Sequence, residues 1–249
     1  MLRWTHPVRG PISPAQFVPV AEDSGLIQAI GNWVLHEACH QARAWIDAGL
    51  PLATMAVNVS AMQFRNPNFV DDLFAILQET DLDPDILELE LTESVLMKHA
   101  RSTESALQSL RSGGVHLAVD DFGTGYSSLS YLTKFPVDVL KIDQAFVRQI
   151  GISHSGTALV TAIIRIGQSL NLRVVAEGIE TEEQLAFLQV NECDEGQGYY
   201  FSRPVTAQQF VKLLETGIHK RRDKVAPHPS MALIAAVEIP PHASGLPLA

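Results

Sequence analysis

The chain has 249 residues with 46% hydrophobic content, which suffices for one large folded domain and excludes a chain that is disordered throughout. Its formal net charge of −10 argues against a basic surface for DNA or RNA polymers, although a nucleotide neutralised by metal ions is still allowed. Two cysteines, Cys39 and Cys193, are too few for a disulfide framework, and no apolar run approaches the roughly 18 residues that span a bilayer, so we expect a cytoplasmic protein without membrane contact.

Short runs rich in β-branched residues alternate with longer amphipathic segments along the chain. The strand candidates are residues 55–60, 86–92, 115–121, 137–143, 172–178 and 193–201. The clearest helix pattern spans roughly residues 28–48 and stops at Gly49. Further helix patterns cover residues 69–80, 102–114, 157–170, 181–190 and 206–215. Thr181 with Gln184, and Thr206 with Gln209, have the spacing of capping boxes.

This alternation predicts an α/β fold with a parallel sheet, and the number of units favours one (β/α) barrel over two separate domains. We assign the barrel to residues 1–218. Residues 219–249 show no clear period and predict a mostly disordered tail.

Polar residues stand at or just beyond the carboxyl ends of the strand candidates, where a (β/α) barrel places its active site. They are Asn58, Glu90, Glu93, Asp120, Asp121, Lys141, Asp143, Glu177 and Gln197. Strand alternation puts Glu88 and Glu90 on the face opposite the leucines of the same strand. Carboxylates gathered at one rim repel each other, so the cluster requires cations or protons.

The adjacent pair Asp120 and Asp121 has two interpretations. Asp-Asp pairs are frequent in solvated surface turns, and that is the simpler alternative for this pair taken alone. Together with an asparagine and further carboxylates, the pair favours oxygen ligation of two Mg²⁺ or Mn²⁺ ions, with Asp120 as a bridge. Two-metal sites hydrolyse phosphoesters, and Lys141 can orient the water or offset charge on the phosphate.

Six motifs in a fixed order make the chain resemble the EAL domain family. They are NVSAMQF, ELELTES, DDFGTGYSSLSYL, LKID, VVAEGIE and GQGYYFSRP. The resemblance runs from about Leu2 to Leu214 and implies a modified TIM barrel. It also implies a bacterial signalling hydrolase, a phosphodiesterase that opens cyclic di-GMP to linear pGpG.

The resemblance also implies roles for individual residues. The implied metal ligands are Asn58, Glu90, Asp120, Asp121 and Glu177, with Glu177 also counted among the catalytic residues. Lys141 is implied to contact the catalytic water, and Glu93 to brace the loop after Asp121, a loop that the family uses at its dimer interface. The positions implied to lie near the dinucleotide are Arg3, Gln63, Asp143 and Gln197. A homodimer is expected by the same analogy.

The resemblance to the EAL domain family is incomplete at the first residues of the chain. The family takes its name from a Glu-Ala-Leu motif that is commonly followed by Leu-Arg-Trp, and here the chain opens with Met-Leu-Arg-Trp. The motif glutamate, a ligand of the first metal in the family, is absent, as is the opening strand of the barrel. We therefore expect weaker metal binding, an open sheet edge that another chain or the tail could cover, and a fragment whose parent continues upstream into regulatory domains.

The sequence is compatible with two functions. One is a Mg²⁺- or Mn²⁺-dependent phosphodiesterase for cyclic di-GMP, indicated by the intact ligand and lysine set. The alternative is a degenerate EAL module that binds cyclic di-GMP or mediates dimerisation without turnover, indicated by the missing glutamate.

Overall fold

The computed structural model describes residues 2–97, 100–124, 132–216, 232–234 and 237–238. Its strands are β1 (Trp4–His6), β2 (Gly10–Ile12), β3 (Met55–Asn58), β4 (Leu87–Thr92), β5 (His116–Phe122), β6 (Val139–Ile142), β7 (Arg173–Ala176), β8 (Glu195–Gln197), β9 (Val205–Thr206), β10 (Ala232–Ile234) and β11 (Val237–Glu238). Its helices are α1 (Pro14–Asp23), α2 (Ile27–Asp47), α3 (Ala61–Phe64), α4 (Phe69–Thr80), α5 (Glu93–Met97), α6 (Ala100–Ser112), α7 (Gln144–Val147), α8 (His154–Ser169), α9 (Glu182–Val190) and α10 (Ala207–Thr216).

The central feature is a curled parallel sheet in which β3 to β8 are neighbours in chain order. Every adjacent pair in this run is parallel, as strands joined by crossover helices must be. The helices cover the outer face, which gives a half-barrel of the modified TIM type. The predicted fold class is therefore confirmed.

Strand alternation separates an apolar outer face from a polar interior. In β4, Leu87, Leu89 and Leu91 are at most 1% exposed and belong to the main hydrophobic core under the helices. Burying each of these side chains contributes about 1.5–3 kcal/mol. Glu88 and Glu90 alternate with the leucines and face the barrel interior, as the sequence predicts.

Helix boundaries follow the local sequence signals. The helix predicted over roughly residues 28–48 is α2, and Gly49 ends it with a φ of +72°. Thr181 and Gln184 form the predicted capping box at the start of α9. The spacing of apolar residues did not predict α1, the β1–β2 hairpin or the short helices. These elements are too short to show a clear helical or strand period.

The C-terminal segment contributes two short strands. β10 pairs parallel with β8, and β11 pairs parallel with β9. The rest of residues 219–249 lies outside the described residues, so the prediction of a mostly disordered tail there stays a prediction. No helix in the described part of the chain is both long enough and apolar enough to cross a lipid bilayer.

Gly31 lies in α2 where there is no room for a side chain. A Cβ built on Gly31 would overlap the amide group of Gln63, which is 4% exposed. We expect Gly31→Ala to lower the free energy of unfolding by about 1–3 kcal/mol, since the buried amide must move. Chemical denaturation of the wild type and the variant measures the difference.

The matched control places the same change on a Gln63→Ala background. With the amide removed, Gly31→Ala should stabilise the protein by up to about 1 kcal/mol, because alanine is the better helix former. An equal loss of stability on both backgrounds would contradict the steric explanation.

Candidate active site and metal centre

The parallel strands bring their polar carboxyl ends to one rim of the half-barrel. Glu90, Asp120 and Lys141 lie on three consecutive strands, β4, β5 and β6, and their side chains are 5–11% exposed. Glu177 directly follows β7. Asn58 ends β3 and Gln197 ends β8, Asp121 follows Asp120 in β5, and Glu93 and Asp143 directly follow β4 and β6.

Lys141 is the electrostatic centre of the rim. Its Nζ lies 2.6 Å from Glu177 Oε1 and 3.4 Å from Asp120 Oδ1, and it also contacts Glu90 Oε1. Burial alone would lower the pKa of Lys141, but the charges of the three carboxylates outweigh burial and raise it. The ammonium group therefore stays charged and can donate hydrogen bonds at any physiological pH.

The carboxylates on either side of Lys141 are held by amide side chains. Gln197 Nε2 donates to Glu177 Oε1 over 2.6 Å, and Asn58 Nδ2 donates to a Glu90 carboxylate oxygen. Burial raises the pKa of Glu177 to about 7, and the charge of Lys141 offsets only part of that effect. The rim thus contains a carboxyl group that exchanges protons near neutral pH.

A left-handed turn explains how two adjacent aspartates serve one site. Asp121 has a φ of +53°, and the pairing of β5 with β6 shifts register between Val119 and Phe122. Its backbone N–H donates to Asp120 Oδ1 over 3.0 Å. Strict alternation would send Asp121 to the outer face, whereas this irregularity keeps it at the rim. Such backbone strain costs about 1–3 kcal/mol and is concentrated at functional sites.

Asp121 also interacts with Asp143. Burial, the charge of Asp120 and a side-chain hydrogen bond with Asp143 together raise the pKa of Asp121 to about 6. Asp143 caps α7, since its Oδ1 accepts a hydrogen bond from the N–H of Ala145 over 2.7 Å. A second acidic pair therefore lies beside the Lys141 cluster.

Glu93 contacts the loop that follows Asp121, as the sequence predicts. The side chain, 3% exposed, accepts a hydrogen bond from the N–H of Gly123 through Oε2 over 3.2 Å. The later part of the loop, residues 125–131, lies outside the described residues. The contact is present, and the coupling role of Glu93 stays a prediction.

Two further residues predicted near a dinucleotide are Gln63 and Arg3. Gln63 forms a capping box with Ser60 and packs against Gly31, on the helical side of β3. Arg3 precedes β1, and its Nη1 donates to the carbonyl of Leu2 over 3.3 Å. A substrate-binding role for either residue stays a prediction.

The donor chemistry at the rim fits a hard divalent cation, because every predicted ligand offers an oxygen. The arrangement of the acidic side chains is a separate question from their chemistry. Among the described residues, no three His, Cys, Asp or Glu side chains already stand in an arrangement that would hold an ion. The carboxylates of Glu90, Asp120 and Glu177 converge on the Lys141 ammonium, and together with Asn58 and Asp121 they are the residues that would hold an ion.

A second charged group lies in the interior, and two of its residues, Arg173 and Glu195, were not predicted from the sequence. Arg173 at the start of β7 contacts Glu88 on β4 and Glu195 on β8. Burial raises the pKa of Glu88 to about 7, against the opposing charge of Arg173. Side-chain alternation along these strands could have predicted the group, since it places Glu88, Arg173 and Glu195 on the interior face.

Known proteins of one family share the sequence of this chain over most of its length. The sequence pattern of the EAL domain matches residues 1–204. The bifunctional diguanylate cyclase/cyclic di-GMP phosphodiesterase MucR of Pseudomonas aeruginosa is 46% identical over 211 residues, which are 85% of this chain and 31% of MucR. The cyclic di-GMP phosphodiesterase NbdA of the same organism is 43% identical over 205 residues, 82% of this chain and 26% of NbdA. The chain thus spans between a quarter and a third of these relatives.

Solved structures agree with the sequence comparison. The MucR phosphodiesterase in complex with c-di-GMP superposes with a TM-score of 0.81 at 46% identity, and the match covers 84% of each chain. Klebsiella pneumoniae BlrP1, solved as a calcium/cyclic di-GMP complex, has a TM-score of 0.61 at 32% identity, with 72% of this chain and 45% of that chain covered. By sequence and by fold, the chain belongs to the EAL domain family.

Proposed function

We propose that this chain hydrolyses cyclic di-GMP to linear pGpG with the help of two divalent cations, Mg²⁺ or Mn²⁺. One observation carries the proposal. Glu90 on β4, Asp120 on β5 and Glu177 just after β7 converge on the buried ammonium of Lys141. Buried carboxylates repel each other, so an arrangement of this kind is costly unless it serves a function.

The residues that would hold the ions share oxygen donors and a place at the rim. They are Asn58, Glu90, Asp120, Asp121 and Glu177. The chemistry supplied by two such ions is polarisation of the phosphoryl oxygens and a lowered pKa of the attacking water. The Asp120 carboxylate lies 3.4 Å from the Lys141 ammonium, and its charge helps to raise the pKa of Asp121, which supports its assignment as the bridging ligand.

Lys141 would orient the attacking water or stabilise the phosphoryl oxygens. Because it is protonated, it donates hydrogen bonds and cannot accept the proton that the water loses. That proton would pass to a carboxylate at the rim. Water oxygen bonds to phosphorus, the phosphorus–ribose oxygen bond breaks, and the leaving oxygen is protonated to give pGpG.

The surrounding residues would position the substrate and the loop. Gln197 donates a hydrogen bond to Glu177, and Asp143 interacts with Asp121, so both border proposed ligands of the cations. Arg3 and Gln63 are proposed dinucleotide contacts by family position. Glu93 would couple the Gly123 loop to the rim. We further propose a cytoplasmic location and a homodimer.

A second candidate is a module that binds cyclic di-GMP without hydrolysing it. It is favoured by the contacts of Glu90, Asp120 and Glu177 with Lys141, whose positive charge offsets these carboxylates without a metal ion. A rim whose carboxylates stay on Lys141 would recognise the nucleotide and leave its phosphodiester bonds intact.

Incubation of the purified full chain with cyclic di-GMP and Mn²⁺, followed by chromatography, tests the proposal. We expect pGpG to form, EDTA to stop its formation, and excess Mn²⁺ or Mg²⁺ to restore it. Calorimetric titration of the same protein with cyclic di-GMP separates the two candidates. Binding without product would favour the binding module, and absence of both binding and product would contradict both functions.

A further inference from the structure

Three charged side chains form a second layer inside the half-barrel, below the rim. Arg173 Nη1 lies 3.1 Å from Glu195 Oε1, and Arg173 Nη2 contacts Glu88 Oε2. The Glu88 and Glu195 side chains are 6% and 14% exposed. We call Glu88, Arg173 and Glu195 the interior layer.

The interior layer links strands that are not neighbours in the sheet. Between β4, which carries Glu88, and β7, which carries Arg173, lie β5 and β6. Backbone hydrogen bonds therefore connect β4 to β7 only through two other strands. The guanidinium of Arg173 connects them directly across the interior.

Each member of the interior layer stands below a residue of the rim on the same face of its strand. Glu88 precedes Glu90 by two residues, and Glu195 precedes Gln197 by two, so each pair shares a face. Arg173 begins β7 and lies four residues before Glu177, which directly follows that strand. A small apolar cluster of Ala118, Val139 and Val175, each at most 1% exposed, lies on the same interior face of the sheet.

We propose that Arg173 is a positioning residue: its two-armed contact with Glu88 and Glu195 sets the distance across the half-barrel between Glu90 and the Glu177–Gln197 pair. This role rests on the proposed function, because it concerns the cation and substrate site at the same rim. An error of about 1 Å in such spacing is enough to impair a catalytic site.

Arginine suits this task because its planar group offers separate N–H donors in a fixed fork. A lysine ammonium supplies the charge but is a single point, so it cannot hold both carboxylates at a fixed separation. Removal of the Arg173 guanidinium would remove the contact that joins Glu88 on β4 to Glu195 on β8 across the interior, so β4 and β8 could move apart.

The experiment compares Arg173→Met and Arg173→Lys with the wild type. Arg111→Met is the matched control, because Arg111 is similarly exposed (40% against 36%) and pairs with Asp138 over 2.9 Å without spanning the interior. Calorimetry measures Mn²⁺ binding, and amide hydrogen exchange measures the opening of β4 and β8. Hydrolysis assays give kcat and KM.

We expect Arg173→Met to weaken Mn²⁺ binding and lower kcat by about 10- to 100-fold, as loss of a residue that supports metal ligands does. Exchange should accelerate in β4 and β8, Arg173→Lys should fall between Arg173→Met and the wild type, and Arg111→Met should resemble the wild type. Wild-type Mn²⁺ affinity and exchange in Arg173→Met would overturn the inference, and so would full function in Arg173→Lys.

The two proposals fail in different ways. A wild-type protein that takes up no Mn²⁺ contradicts the proposed function. The exchange rates of β4 and β8 still decide whether Arg173 fixes the strands, because that measurement needs no cation. Arg173→Lys keeps the charge and supplies the comparison if Arg173→Met does not fold.

Discussion

Lys141→Met should nearly abolish hydrolysis of cyclic di-GMP and also destabilise the protein. Methionine keeps the length of the side chain but removes the ammonium that contacts Glu90, Asp120 and Glu177. Three buried carboxylates are then left without their cation. Breaking a buried ion pair from one side costs about 3–5 kcal/mol, and loss of a donor at the reacting group lowers kcat by about 10²- to 10³-fold.

Denaturation and steady-state kinetics measure the two effects of Lys141→Met. The control is Arg165→Met, which removes an exposed pair with Glu192 at 3.6 Å and should change stability by at most about 1 kcal/mol. Addition of Mn²⁺ should restore part of the stability of Lys141→Met, because the ion replaces the missing positive charge. Wild-type stability in Lys141→Met would contradict the central place of this residue.

Asp120→Asn should have the second large effect. It should lower hydrolysis of cyclic di-GMP without destabilising the protein. The asparagine oxygen can still accept the Asp121 N–H, now 3.0 Å from Asp120 Oδ1, so the turn is preserved. The lost charge removes the proposed bridging ligand. We expect hydrolysis to fall by about 10³-fold, equivalent to about 4 kcal/mol of transition-state stabilisation, and Mn²⁺ binding to weaken.

Stability and titration distinguish this loss from misfolding. Removal of one of several repelling carboxylates should leave the free energy of unfolding of Asp120→Asn equal to or above that of the wild type. The pKa of Asp121, raised to about 6 in part by Asp120, should move toward its usual value, and NMR titration measures it. Asp71→Asn on the exposed start of α4 is the control. Hydrolysis at the wild-type rate in Asp120→Asn would contradict the proposed site.

The sequence by itself determined the order of the strands and helices and which polar residues stand at the rim. The six predicted strands and the helices between them form, because the signals that specify them are local: a period of two, a period of 3.6, and capping residues such as Thr181. The same local period placed Glu88 and Glu90 on the interior face. Family motifs along most of the chain then identified the EAL domain.

Only the tertiary structure decided which side chains meet. Lys141 and Glu90 are 51 residues apart in the chain, and Arg173 and Glu88 are 85 apart, so no local pattern predicts these contacts. The left-handed turn at Asp121 likewise depends on the register of β5 against β6. Register and contacts across a half-barrel are set by the packing of the whole sheet, which is a non-local property. The sequence therefore specifies the charged residues, and the curvature of the sheet decides how far apart they stand.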